Sequence, residues 1–244
     1  MPPSESIEDI SKDELVRIFR HILSEEGSLR NPKSILIGGW AVYSYNRYHG
    51  SVDIDVLAPK RVQDDLIRHL KRFGYEYRKL EDDGDRHLFK IFVPGRVIVD
   101  FINPNVKYHF HGRPDALKLS FLYERFQLAQ MESISVPVPE RTALLITKIK
   151  AAWDRKARLD SYKSPDPEFE RGKIIKDYSD ILALIDREKG GNELDLEYLS
   201  SMLERHPFLW SVLDLCGRSE PAAVKYGKTL EDTQKMMNLL KGLL

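Results

Sequence analysis

The sequence predicts an α+β fold. An N-terminal core on a mixed, mostly antiparallel sheet with helices on one side precedes an all-α C-terminal domain. Strand-length apolar runs punctuated by Gly, Pro and Asn recur between residues 34 and 138. Beyond Pro139 the apolar residues recur at helical spacing only. The prolines at 137 and 139 mark the change, so the domains are read as 1–139 and 140–244.

The elements follow in order. Residues 11–26 read as a helix with Ser11 and Glu14 as its capping box and Gly27 as its stop. Leu15, Ile18, Phe19 and Ile22 form its apolar face. Residues 34–37 are a short buried strand. A helix at 40–48 follows the Gly38-Gly39 turn, with Gly50 as its stop. Residues 52–57 form a second strand, and 61–73 an amphipathic helix closed by Gly74. Three strands at 75–80, 87–93 and 96–102 are separated by hairpin-like turns at 81–85 and 94–95. Residues 105–138 predict a strand or two, a turn near 111–114 and a strand at 134–138. A long helix covers 140–159. A polar loop at 160–172 leads to a helix at 173–188, and three shorter helices fill 195–244.

The chemistry concentrates in residues 35–57. Successive side chains of a strand point to opposite faces, so Asp53 and Asp55 share one face while Val52, Ile54 and Val56 take the other. Neighbouring like charges repel unless a cation lies between them. Carboxylates are hard donors that suit Mg²⁺. Gly38-Gly39 opens a helix whose first N–H groups would form a phosphate seat. Asp100 sits among Ile98, Val99, Phe101 and Ile102, where burial without a cation is costly. A metal shared with Asp53 and Asp55 would supply that cation. Together these features suggest chemistry on a nucleoside triphosphate.

Composition bounds the rest. Hydrophobic residues make up 42% of the 244, enough for a substantial core, and Lys+Arg balance Asp+Glu at 38 each. Nucleic-acid binding would therefore rest on local basic segments, at 60–79 and 140–176, each carrying a local excess of four positive charges. The single cysteine, Cys216, excludes an intramolecular disulfide, fits a reducing compartment and reads as a small core residue. No signal peptide or membrane-length apolar run is present, which points to a soluble cytoplasmic protein without a membrane partner. No Walker-type loop occurs. His109 and His111 lack partners at zinc-ligand spacing and read as surface or structural residues. The aromatic helix around Trp40 and Tyr43 reads as core, and the acidic run 81–85 as a solvated turn.

These residues resemble the nucleotidyltransferase superfamily of the polymerase-beta-like type. Gly38-Gly39, thirteen intervening residues, Asp53-Ile54-Asp55 and then Asp100 match its signature in order. The chain also looks like the AbiEii-type branch, whose members include toxins of toxin–antitoxin systems. Lys148-Ile149-Lys150-Ala151-Ala152-Trp153-Asp154-Arg155 fits one of its helical motifs. Lys176-Asp177-Tyr178-Ser179-Asp180 fits the next, with Lys in place of Arg. The resemblance covers roughly residues 30–190. It implies transfer of a nucleoside monophosphate from an NTP to an acceptor hydroxyl, with release of pyrophosphate. Asp53 and Asp55 would hold one Mg²⁺, and Asp100 would share a second and activate the acceptor. Gly38, Gly39, Lys148 and Arg155 would bind the nucleotide, and Asp177 would orient Lys148 or the base. Lys150 is the rival of Lys148. Gly39 replaces a serine common in relatives, which shifts phosphate binding to backbone N–H groups or Lys148.

The acceptor is an RNA or tRNA end, a protein or a small molecule, and a toxin would have an antitoxin partner. Two other readings compete. One is a catalytically inactive nucleotide- or RNA-binding module. The other is a glycosyltransferase with an Asp-x-Asp metal motif, which does not account for Gly38-Gly39 or Asp100.

Overall fold

A computed structural model describes residues 6–79, 86–92 and 95–244. The chain folds as two compact units. The first comprises the chain through Val106 together with Lys118–Glu140; the second comprises Lys107–Leu117 and Arg141–Leu244. Among the described residues no helix is long and apolar enough to cross a membrane.

The first unit is α+β. Helix α1 spans Ile7–Glu26, starting earlier than its sequence signal. Ser6, not Ser11, is its N-cap: the Ser6 hydroxyl accepts the Asp9 N–H at 3.1 Å. Ser11 is buried inside the helix instead. Its hydroxyl accepts the Trp40 indole N–H at 3.1 Å and donates to the Val52 carbonyl at 3.2 Å. One polar side chain thereby ties the helix to two segments that follow the Gly-Gly turn. Gly27 ends α1 with φ +65°, as read from the sequence.

Strand β1 (Ile35–Ile37) runs straight into α2 (Gly38–Tyr45). The stop of α2 is corrected from Gly50 to Asn46, whose N–H bonds the Val42 carbonyl. Then come β2 (Asp53–Leu57), α3 (Lys60–Arg72), β3 (Glu76–Lys79), β4 (Arg86–Ile91) and β5 (Arg96–Ile102). The turn read at 81–85 lies outside the described residues, as do Leu80, Val93 and Pro94.

The five strands form one mixed sheet in the order β1-β2-β5-β4-β3. The β2–β5 pair is parallel and the other three pairs are antiparallel. The parallel pair follows from the path of the chain, because α3 and the β3–β4 hairpin intervene before β5 returns beside β2. Ile54, Val56, Leu88, Val97, Val99 and Phe101 form a fully buried sheet face. Helix α1 packs against β2 and β5 and adds Leu15, Ile18, Phe19 and Ile22 to the core. Burying each such side chain contributes about 1.5–3 kcal/mol. A separate hairpin of β8 (Phe126–Met131) and β9 (Ile134–Pro139) packs alongside β1. The Tyr45 hydroxyl donates to its Pro139 carbonyl at 2.6 Å.

The second unit is mainly helical. Helix α4 covers Arg141–Asp160. Helix α5 covers Pro167–Ile185 and starts before the sequence placed it. Asp166 caps it and Pro167 occupies its first turn, where a missing N–H costs nothing. The connecting loop therefore ends at Asp166, and Gly172 lies inside the helix. Four helices, one more than expected, complete the unit: α6 (Leu196–Arg205), α7 (Trp210–Gly217), α8 (Glu220–Tyr226) and α9 (Leu230–Leu243). Cys216 is buried beside the Tyr178 carbonyl, and burial pushes its thiol pKa up.

The unit also contains the hairpin of β6 (Lys107–His109) and β7 (Ala116–Lys118) over most of its length. Phe110, 1% exposed, stacks edge-on against Phe208, and the His111 N–H donates to Asp154 at 2.8 Å. His109 bonds the nearby Pro114 carbonyl, and His111 bonds Ser161 at the end of α4.

Candidate active site: acids on the sheet and an ion-pair cluster on the helices

The strand register assembles the acids. Asp55 pairs with Asp100 across the parallel β2–β5 ladder, and Asp53 lies two residues back along β2. Alternation puts all three on the face opposite Ile54, Val56, Val99 and Phe101. Asp53, Asp55 and Asp100 are each partly exposed. Val99 and Phe101 on either side of Asp100 fill the buried side of β5, whereas Ile98 and Ile102 share the partly exposed face on which its carboxylate stands.

Gly38 is packed against this face. It adopts φ +71°, and a Cβ placed there would run into the Asp55 carboxylate. Glycine is required twice over: for the left-handed backbone and for the close approach. Gly39 is buried in the first turn of α2, after Ile37 at the N-cap. No side chain among the described residues caps this turn, so its N–H groups suit an anion.

The donor set is all carboxylate, which suits a hard divalent cation. Among the described residues, no three His, Cys, Asp or Glu side chains already surround a common point. Adjacent carboxylates repel one another, so their placement on one face, rather than convergence, is what the backbone supplies.

A residue the sequence reading passed over joins this face. The antiparallel β4–β5 ladder pairs His87 with Asp100, and His87 Nδ1 is in close contact with Asp100 Oδ1. Asp100 thus has Asp55 beside it on one strand and His87 on the other. The signal was present in the hairpin read at 94–95. A turn there that pairs Ile91 with Arg96 pairs residues four steps further from the turn, His87 and Asp100.

Lys148, Arg155 and Asp177 occupy the helical unit, where α4 packs along α5. Lys148 Nζ lies 2.7 Å from Asp180 Oδ2 and 3.6 Å from Asp177 Oδ1. Arg155 pairs closely with the other oxygen of Asp177. Lys176 reaches Asp180 at 3.3 Å. The Lys148, Asp177 and Asp180 side chains are 9%, 7% and 2% exposed, so these charges are largely out of water. Asp180, the second acid of the Lys176–Asp180 motif, is the nearer partner of Lys148. Lys150 serves the hairpin, with bonds to Asp154 and to the His109 carbonyl at 3.1 Å.

No family model matches the chain, and no curated protein matches it. Three solved structures illustrate what it is similar to. One is the solution structure of the antibiotic-resistance factor ANT(2'')-Ia, at 14% identity over 82% of this chain and 98% of that one, with a TM-score of 0.45. Another is the lincosamide antibiotic adenylyltransferase LnuA bound to lincomycin, at 16% identity over 71% and 96%, with a TM-score of 0.40. The third is an antigenic nucleotidyltransferase-like protein from Paracoccidioides brasiliensis, at 15% identity over 86% and 93%, with a TM-score of 0.41.

Proposed function

We propose that this chain is a metal-dependent nucleotidyltransferase. The observation that carries the reading is the pairing of Asp55 with Asp100 in register, Asp53 on the same face and Gly38 against Asp55. Three hard donors on one face, with Asp55 against the first residue of α2, support a cation site next to a phosphate seat, the combination that an NTP requires. Asp53, Asp55 and Asp100 would hold the cation. When bound, a divalent ion supplies charge neutralisation and Lewis acidity on the phosphoryl oxygens.

The chain's own residues supply position and proton handling. Backbone N–H groups at the start of α2 hold phosphate oxygens. The Asp100 carboxylate draws the proton from the acceptor hydroxyl. That oxygen attacks the α-phosphorus, the bond from the α-phosphorus to the bridging oxygen breaks, and pyrophosphate leaves. Lys148 is the cation that the resemblance assigns to the triphosphate, and Asp180 and Asp177 fix its ammonium. The local positive excess of residues 60–79 is the ground for an RNA acceptor, since Lys148, Arg155 and Lys176 of the second basic segment are paired with Asp177 and Asp180. A toxin role with a cognate antitoxin belongs to the same reading.

Label transfer tests it. Wild type and Asp53→Asn are incubated with each α-labelled NTP, Mg²⁺ and separate pools of RNA, protein and aminoglycosides. The expected result is a labelled product that needs both Mg²⁺ and Asp53, with unchanged circular dichroism in the mutant. Transfer by Asp53→Asn at the wild-type rate overturns the assignment. A labelled RNA names the acceptor class, and a labelled protein or drug replaces it.

A further inference from the structure

We infer that His87 is a positioning residue for Asp100, setting the carboxylate's orientation for the cation. The inference rests on the nucleotidyltransferase reading of the acids and adds a residue to it.

The backbone places His87 without freedom to drift. Leu88 on β4 and Val97 and Val99 on β5 are fully buried, which fixes both strands on the core. A slip of one residue would turn His87 into that core, so the register is strongly held. His87 and Asp100 are direct cross-strand partners. Their side chains are 25% and 21% exposed, so water competes only partly for the contact.

The chemistry fixes the direction of the bond. A carboxylate only accepts, so Nδ1 carries the hydrogen and donates to Oδ1. This contact selects one carboxylate rotamer at Asp100 and commits one oxygen to the imidazole. Hydrogen bonds to ligating carboxylates commonly raise metal affinity by about 10–100-fold. His87 therefore acts through Asp100, not on substrate. Asp55, the register partner of Asp100 on the other side, has Gly38 packed against its carboxylate.

The test measures Mn²⁺ binding by calorimetry and electron paramagnetic resonance on the full chain, with no nucleotide and no turnover. His87→Ala is expected to weaken Mn²⁺ about 10-fold or more, with unchanged circular dichroism. His87→Asn, which keeps a side-chain N–H, is expected to recover most of the affinity. In turnover assays the Ala variant is expected to raise the metal concentration for half-maximal rate and leave the KM for NTP near wild type. Wild-type affinity in His87→Ala overturns the inference and leaves the acid site standing. If wild type binds no Mn²⁺, or binds it independently of Asp53, both this inference and the reading beneath it fall.

Discussion

At the scale of single residues, Gly38 is the most constrained position in the candidate site. Any other residue there meets a strained left-handed backbone and the Asp55 carboxylate together. Gly38→Ala is expected to cost about 1–3 kcal/mol and to displace Asp55. Thermal melts should show the loss, and nucleotidyl transfer should fall by more than the stability change explains. Lys148 makes a different case. Its removal leaves Asp180 with Lys176 at 3.3 Å as a remaining partner. Lys148→Ala should therefore destabilise near or below the about 3–5 kcal/mol typical of breaking a buried pair. Urea unfolding checks this, and a change under about 1 kcal/mol would mean that the pair is solvated. Sequence alone ranked Lys148 above Lys150 by motif. In the structure the two lysines have different partners: Lys150 bonds the His109 carbonyl of the 107–117 hairpin, and Lys148 faces two acids on α5.

At the scale of elements, α1 is tied to the rest of its unit through Ser11 and through Glu14. The Glu14 carboxylate accepts from Arg17 and from the Tyr75 hydroxyl at 2.5 Å. Burial pushes the Glu14 pKa up, but these bonds and the Arg17 charge outweigh it and hold it below the usual 4.5. A carboxyl with a depressed folded-state pKa stabilises the fold above its unfolded pKa and loses that contribution as pH falls through the folded value. Stability should therefore drop from about pH 5 downward, with Glu14 among the contributors. Glu14→Gln should be less stable than wild type at neutral pH and should converge on it in acid. Denaturant titrations at several pH values check both halves. Most element types were legible, because period and punctuation are local. One boundary was missed because a tertiary partner claimed the residue: Ser11 looked like a cap but serves Trp40 and Val52.

At the scale of the whole molecule, the chain leaves the sheet unit at residue 107, returns at 118 and leaves again at 141. The excursion docks on the helical unit through Phe110, which touches His206 and Phe208. His206 is 6% exposed, and its Nδ1 lies 3.7 Å from Asp115 with no hydrogen-bond partner among the described residues. Burial pushes its pKa below 6.5 by more than Asp115 raises it. The unfolded chain then binds the proton more readily, so this contribution is lost as pH falls below about 6.5. His206→Gln should flatten the stability change between about pH 7.5 and pH 5.5, and an unchanged slope would remove His206 as its source. A fragment of residues 141–244 lacks Phe110. It is expected to bind a hydrophobic dye and to melt below the full chain, both readable by fluorescence.

The sequence by itself determined the element types, the shared face of Asp53 and Asp55, the glycine turn before α2 and the change at Pro139 to helical structure. Each depends on neighbours within a few positions: strand alternation, helical period or the freedom of a Gly backbone. Only the tertiary structure decided the parallel pairing that sets Asp100 against Asp55, and Asp180 as the nearer partner of Lys148. It also decided that residues 107–117 belong with the helices. Those outcomes depend on which distant segments pair and pack, and local periodicity fixes the face a side chain takes but not the segment it meets.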